Sequence, residues 1–210
     1  MSIIEKAVDS ALQSSHSQVV SKPTHHADPG PLGVLAFAVG SLILNFINAG
    51  LIGAKGVAII IPVGIVLSGL IQVLVAGLEY PRGNTFTVAV FGTYGGFWMI
   101  LGLWIGYYAP RAGTDGGKAL GLFVACYALM TFIFFIGSLK IEKVLALIFG
   151  LITIALTCSA ISNWTSNAGI GKFSGWVGIT FALVAFYKAA ADIWHSQYHR
   201  EILPLGKVAR

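Results

Sequence analysis

The chain has 210 residues, 56% of them hydrophobic and only 10% charged, where a soluble domain carries roughly a quarter charged residues. That balance argues against a water-soluble globular enzyme and points to lipid as the main solvent. The net charge of +5 does not indicate a nucleic-acid partner, because the 13 Lys and Arg residues sit singly between apolar stretches and form no basic face.

Taken from the N-terminus, Ile3, Ile4, Ala7, Val8, Ala11 and Leu12 recur at helical spacing. They read either as a short amphipathic helix on a membrane surface or as a disordered tail. Ser14 to Ala27 is polar and reads as a flexible lead-in. It contains His25 and His26 without any further ligand pattern, so no metal site is expected. The first 30 residues show no apolar core of a cleavable leader, so insertion is expected to use the first membrane helix.

Six spans follow. The first starts at Asp28-Pro29-Gly30-Pro31 and runs to about Ile52; Asp28 can cap free N–H groups and Pro29 suits a helix start. The second runs from about Gly56 to Glu79, with Pro62 as a kink or as the beginning of its regular part. The third covers about Thr85 to Tyr108, the fourth Ala119 to Leu139, the fifth Glu142 to Asn163 and the sixth Phe173 to Trp194. The expected organisation is a tail over 1–27, an all-α six-helix membrane domain over 28–196 and a second tail over 197–210.

Lys6, Lys22, Arg82, Lys140, Lys143, Arg200, Lys207 and Arg210 fall on one side of these spans, against Lys55, Arg111, Lys118 and Lys172 on the other. Both termini are therefore expected to be cytoplasmic. Trp104, Tyr107, Tyr108 and Trp194 sit at helix ends, as interfacial rings do. Glycines four apart (Gly92 and Gly96, Gly102 and Gly106, Gly117 and Gly121, Gly171 and Gly175) allow close helix packing, within one protomer or between protomers. Cys126 and Cys158 lie inside apolar stretches and read as packing residues.

No metalloprotease, Walker or nucleophile-elbow motif is present in the sequence, so neither catalysis nor a cofactor is expected. Lys188 and Asp192, four apart near the end of the sixth span, read as an interfacial pair. The polar residues well inside the spans are uncharged: Asn45 and Asn48 in the first, Gln72 in the second, Thr93 and Tyr94 in the third, Thr131 in the fourth. Each serves equally well as a helix-to-helix hydrogen bond or as a pore-lining donor. Together they suggest a path for a small solute, held weakly enough to be released.

The run Asp28-Pro29-Gly30-Pro31-Leu32-Gly33-Val34 resembles the Asn-Pro-Ala-Pro-Leu-Gly-Leu segment of the acetate uptake transporter family, which includes the succinate-acetate and fungal acetate permeases. Gly77-Leu78-Glu79-Tyr80-Pro81-Arg82-Gly83-Asn84-Thr85-Phe86 is similar to its Leu-Glu-Tyr-x-x-Gly-Asn-Thr-Phe segment, and Tyr94-Gly95-Gly96-Phe97-Trp98 follows at the family spacing. The similarity continues through Gly137-Ser138-Leu139-Lys140, Gly175-Trp176 and Leu203-Pro204-Leu205-Gly206. It implies a hexamer in a cell membrane, each protomer with its own path for acetate and, in some members, succinate or lactate. It also implies a constriction at Phe37, Tyr94 and Ile152, the last replacing a family Leu, with Leu32 and Gly33 of the first segment beside the substrate.

On this reading Asn45, Asn48, Gln72, Thr93 and Thr131 are the candidate substrate donors, and Glu79 or the acid itself carries any coupled proton. Two other readings stay open: a membrane sensor or assembly protein of the same fold, acting through its N-terminal segment, and a pore for neutral solutes such as ammonia, urea or water.

Overall fold

The computed structural model describes residues 3–6, 8–9 and 27–208. Residues 3–6 and 8–9 are helical, with Ile3, Ile4 and Val8 exposed. The expected lead-in up to residue 26, with His25 and His26, lies outside the described residues.

Among the described residues, six helices are long and apolar enough to cross a membrane: α1 Gly30–Asn48, α2 Ala54–Arg82, α3 Thr85–Arg111, α4 Gly113–Ser138, α5 Lys143–Thr165 and α6 Ala168–Tyr198. Apolar side chains all round such helices are what lipid requires, because every backbone polar group must be satisfied within the helix. The turns between them are marked locally. Asn84 Oδ1 accepts from Thr87 N at 3.3 Å to cap α3, and Asn167 Oδ1 accepts from Gly169 N and Ile170 N at 2.9 and 3.2 Å to cap α6. At the start of α1, Asp28 Oδ1 accepts from Gly30 N at 3.0 Å, as its position before the helix leads one to expect.

The helices form a ring. α1 packs against α2 and α6, α2 against α3, α6 against α5, and α5 against α4. Between α3 and α4 the backbones stand further apart and aromatic side chains fill the gap. Phe97 stacks on Phe123 at 5.6 Å, and Tyr127 reaches across to donate to Thr93 O at 3.1 Å.

Closest approach occurs at glycines. A Cβ on Gly175 would overlap the backbone at Ala49, and one on Gly178 would overlap the Asn45 side chain, so α6 can seat against α1 only with these residues. Ser68 Oγ donates to Ala36 O at 2.7 Å between α2 and α1, and Ser174 Oγ to Ala155 O at 2.8 Å between α6 and α5.

α2 is not uniform. It opens as a 3-10 turn over Ala54–Ile59, becomes α-helical over Ile60–Pro62 and widens to a π-helix over Val63–Leu70. Pro62 has no N–H to donate and so stands where the hydrogen-bond pattern changes.

α6 is longer than its sequence suggests, starting at Ala168 and ending only at Tyr198. Lys188 is therefore about three turns inside the helix, not at its end, and does not snorkel to the interface: its side chain is only 13% exposed. Beyond α6 the chain folds back over the start of α5. Lys143 N donates to Gly206 O at 3.0 Å, Val144 N to Leu205 O at 3.2 Å, and Glu142 pairs with Lys207 in an antiparallel bridge. Residues 205 and 206 thus satisfy two N–H groups that a helix start leaves free.

Candidate functional site

Two cavities lie end to end inside the ring. The first, of about 520 Å³, opens toward the end of the bundle where α1 begins and α6 ends and is lined there by Asp28, Glu79, Arg82, Glu142, Lys188 and Asp192. The second, of about 450 Å³, lies toward the opposite end, among Asn48, Trp104, Ala109 and Asn163. Among the described residues, only Phe37, Tyr94 and Ile152 line both.

These three side chains, from α1, α3 and α5, make a septum. They are 9%, 3% and 3% exposed. The rings of Phe37 and Tyr94 meet edge to face with centroids 5.4 Å apart, and Phe181 of α6 stacks behind Phe37 at 5.7 Å. The Phe37 ring is thus held between Tyr94 and Phe181. Phe181 went unnoticed in the sequence, because a Phe in an apolar helix has no distinguishing pattern.

The Tyr94 hydroxyl lies 2.6 Å from Thr131 Oγ1, and Thr131 Oγ1 donates to Tyr127 O at 2.6 Å. Each hydroxyl has one proton. Thr131 uses its own on Tyr127, so Tyr94 donates to Thr131. What Tyr94 then offers a solute is an oxygen lone pair, which suits a protonated carboxyl group and not a carboxylate.

The remaining candidates divide. Gln72 lines the first cavity, its amide donating to Ser68 O, while Asn45 and Asn48 line the second, Asn45 Nδ2 donating to Ser41 O at 2.8 Å. Thr131 is fully buried behind Tyr94 and lines neither cavity. Thr93 lines neither as well, since its hydroxyl turns back on Ala89 O at 2.7 Å. Leu32 is 45% exposed and absent from both cavity walls. Gly33 is packed under the Phe91 ring, and its neighbours Gly30, Pro31 and Val34 line the first cavity in its place. Helix phase explains these placements: side chains one residue apart point about 100° away from each other.

The charged wall of the first cavity was only partly legible. Glu79 is 1% exposed; its Oε1 lies 3.5 Å from Arg82 Nε, and Oε2 is buried with no hydrogen-bond partner. Arg82 also lies 3.7 Å from Asp28. Lys188 Nζ lies 2.7 Å from Glu142 Oε1 and 3.0 Å from Asp192 Oδ2. Glu142 sits just before α5, where the sequence places the start of the fifth span without marking a role for the residue, and the fold buries it to 5% exposure. In the second cavity Trp98, 2% exposed, presents a buried indole N–H without a partner. It is a donor that its sequence neighbours do not distinguish from packing.

The family model described as GPR1/FUN34/yaaH matches residues 10–206. The succinate-acetate/proton symporter SatP of Escherichia coli K12 is 35% identical over 187 residues, covering 88% of this chain and 97% of that protein. The ammonia transport outward protein 2 of Saccharomyces cerevisiae is 29% identical, over 81% of this chain and 63% of that one. Among solved structures, that of the bacterial acetate channel SatP superposes with a TM-score of 0.79 at 34% identity, covering 86% of this chain and 99% of its own.

Proposed function

We propose, for a chain that belongs to the GPR1/FUN34/yaaH family, a transport protein that moves acetate and related short carboxylic acids, succinate and lactate included, across a cell membrane. The observation that supports it best is the pair of cavities separated only by Phe37, Tyr94 and Ile152. Two vestibules and an uncharged septum form a pathway that a small acid can enter from either end.

The septum acts as the gate. Its apolar walls strip water and fit a methyl group, while the Tyr94 oxygen accepts from a protonated carboxyl. Ile152, branched at Cβ, narrows the passage close to the α5 backbone and so tunes acid size. Gln72 on one side and Asn45, Asn48 and Trp98 on the other supply weak, uncharged contacts before and after the gate. Thr131 and Thr93 act indirectly, Thr131 by holding the Tyr94 hydroxyl and Thr93 by accepting from Tyr127. Leu32 and Gly33 set the α1 turn whose neighbours line the vestibule. Transport is proton-coupled symport, with Glu79 and Glu142 as the buried carboxyl groups on the vestibule wall.

The protein sits in the plasma or inner membrane as a hexamer with both termini cytoplasmic, in keeping with the excess of Lys and Arg at the terminal end. Cross-linking in membranes and protease accessibility of the termini test these two points.

Uptake of radiolabelled acetate by proteoliposomes, against protein-free vesicles and with or without an imposed pH gradient, tests the function. Protein-dependent uptake that other short carboxylates compete supports it; folded protein with no flux above empty vesicles sinks it. The septum's lack of fixed charge also favours a second reading, a pore for a neutral solute such as ammonia. That reading requires flux indifferent to added carboxylates.

A further inference from the structure

We infer that Lys188 and Glu142 form a proton-linked carboxylate site: the Lys188 ammonium receives the incoming acid anion while Glu142 takes up the accompanying proton and hands it to the acid before the acid meets the septum. This rests on the carboxylate-transport reading and goes beyond it by naming where anion and proton meet.

An ammonium has three N–H donors. Lys188 donates one of them to Asp192 Oδ2, 3.0 Å away, and pairs by charge with Glu142 Oε1, 2.7 Å away, a buried oxygen with no hydrogen-bond partner among the described residues. The ammonium thus keeps donor capacity for a carboxylate in the vestibule, whose wall Glu142, Lys188 and Asp192 share. With both acids ionised the trio carries a net charge of −1, which opposes an entering anion. A third carboxylate on the same ammonium would bring the net charge to −2 in a place where Glu142 is only 5% exposed. Carboxylates crowded on one site in low dielectric cannot all remain ionised. Binding of the anion therefore draws one proton into the cluster.

Glu142 is the carboxyl that takes it. Its side chain is 6% exposed against 26% for Asp192, so water stabilises the charge on Asp192 far better. Its backbone is fixed on both sides: Glu142 N donates to Ser138 O at 3.3 Å, its own carbonyl accepts from Ala146 N at 3.1 Å, and Lys207 bridges to it from the returning tail. Tyr187, next to Lys188, is tied to the same tail by its hydroxyl, which donates to Pro204 O at 2.9 Å. The ammonium and the proton acceptor are thus held together by one segment of chain. Of the other charged groups nearby, Lys143 and Lys207 are exposed, and Asp28, Glu79 and Arg82 line the vestibule from α1 and α2. Arg82 is the vestibule's other cation, but it already serves Asp28, Glu79 and Ala27 O.

The step balances without any redox partner. An O–H bond forms on Glu142 from a solvent proton as the anion binds; that bond then breaks as an O–H bond forms on the substrate carboxylate, and the Glu142 carboxylate returns to Lys188. The uncharged acid moves on toward Ile152, ten residues along α5, or about 15 Å. There the Tyr94 oxygen is oriented to accept its new proton.

Infrared difference spectra of wild-type protein, with and without carbon-13-labelled acetate near neutral pH, test the bound state directly. A protonated-carboxyl band that ignores the label places the proton on the protein, as expected. A band that shifts with the label places it on the acid and overturns the inference, whether or not any variant folds. Glu142→Gln should lose the label-independent band, and a band retained in that variant also overturns the assignment.

In proteoliposomes, the acetate KM of wild-type protein should rise about tenfold per pH unit above neutrality. Glu142→Gln should flatten that slope and lower the maximal rate at least tenfold. Lys188→Arg should retain affinity that Lys188→Gln loses. A Glu142→Gln protein with the wild-type slope overturns the inference while leaving carboxylate transport intact. A label-independent band without flux from wild-type vesicles would do the reverse, keeping the site and removing the transport reading.

Discussion

Replacing Tyr94 with alanine removes one of the three side chains that stand between the cavities. The ring contacts Phe37 at 5.4 Å, Phe134 at 6.3 Å, and Phe149 and Tyr127 at 6.5 Å. Truncating a buried aromatic residue costs about 3–5 kcal/mol, with about 1 kcal/mol more for the hydrogen bond to Thr131. Thermal unfolding in detergent should therefore occur at a clearly lower temperature. Because the cavity left by the ring joins two existing ones, the neighbours cannot collapse to fill it and the passage should widen. In proteoliposomes, a bulky acid such as benzoate should gain about tenfold relative to acetate, equivalent to about 1.4 kcal/mol less steric barrier. Tyr94→Phe is the control: it keeps the ring, so the size ranking should hold, while acetate flux falls about fivefold with the lost acceptor, roughly one neutral hydrogen bond. A Tyr94→Ala protein that unfolds earlier but ranks acids as the wild type does would make Tyr94 a packing residue and refute the gate.

Gly178→Ala should lower the unfolding temperature in detergent, at a cost of about 1–3 kcal/mol, because a Cβ there overlaps the Asn45 side chain. Asn167→Ala removes the acceptor for two N–H groups at the start of α6; the expected loss is about 1 kcal/mol in the same assay, with transport retained. Lys188→Met leaves Glu142 and Asp192 without their shared cation; breaking a pair this buried costs about 3–5 kcal/mol, so its unfolding temperature in detergent should fall clearly below that of the wild type, and an unchanged temperature would show the pair to be energetically idle. Glu79→Gln should leave the pH slope of acetate KM in place if Glu142 alone takes the proton, and a flattened slope would assign that role to Glu79.

The sequence by itself determined the solvent and the number of spans. Long uncharged stretches broken by short polar turns leave only one architecture in lipid, because the backbone must satisfy itself within each helix. Phe37, Tyr94 and Ile152 were legible only through the family resemblance; taken singly, each is an apolar or aromatic residue in an apolar helix. Tertiary structure decided what periodicity could not: which face of each helix turns inward. It left Thr93 and Leu32 off the cavity walls and put Gln72, Asn45 and Asn48 on them, since neighbouring positions on a helix that is apolar all round look alike until its partners are known. It also lengthened α6 at both ends and folded the C-terminal segment over α5, turning an apparent interfacial pair into a cluster with the buried Glu142. Glu142 and Lys188 are 46 residues apart in the chain, and their electrostatics depend on a distance and a burial that only the folded ring creates.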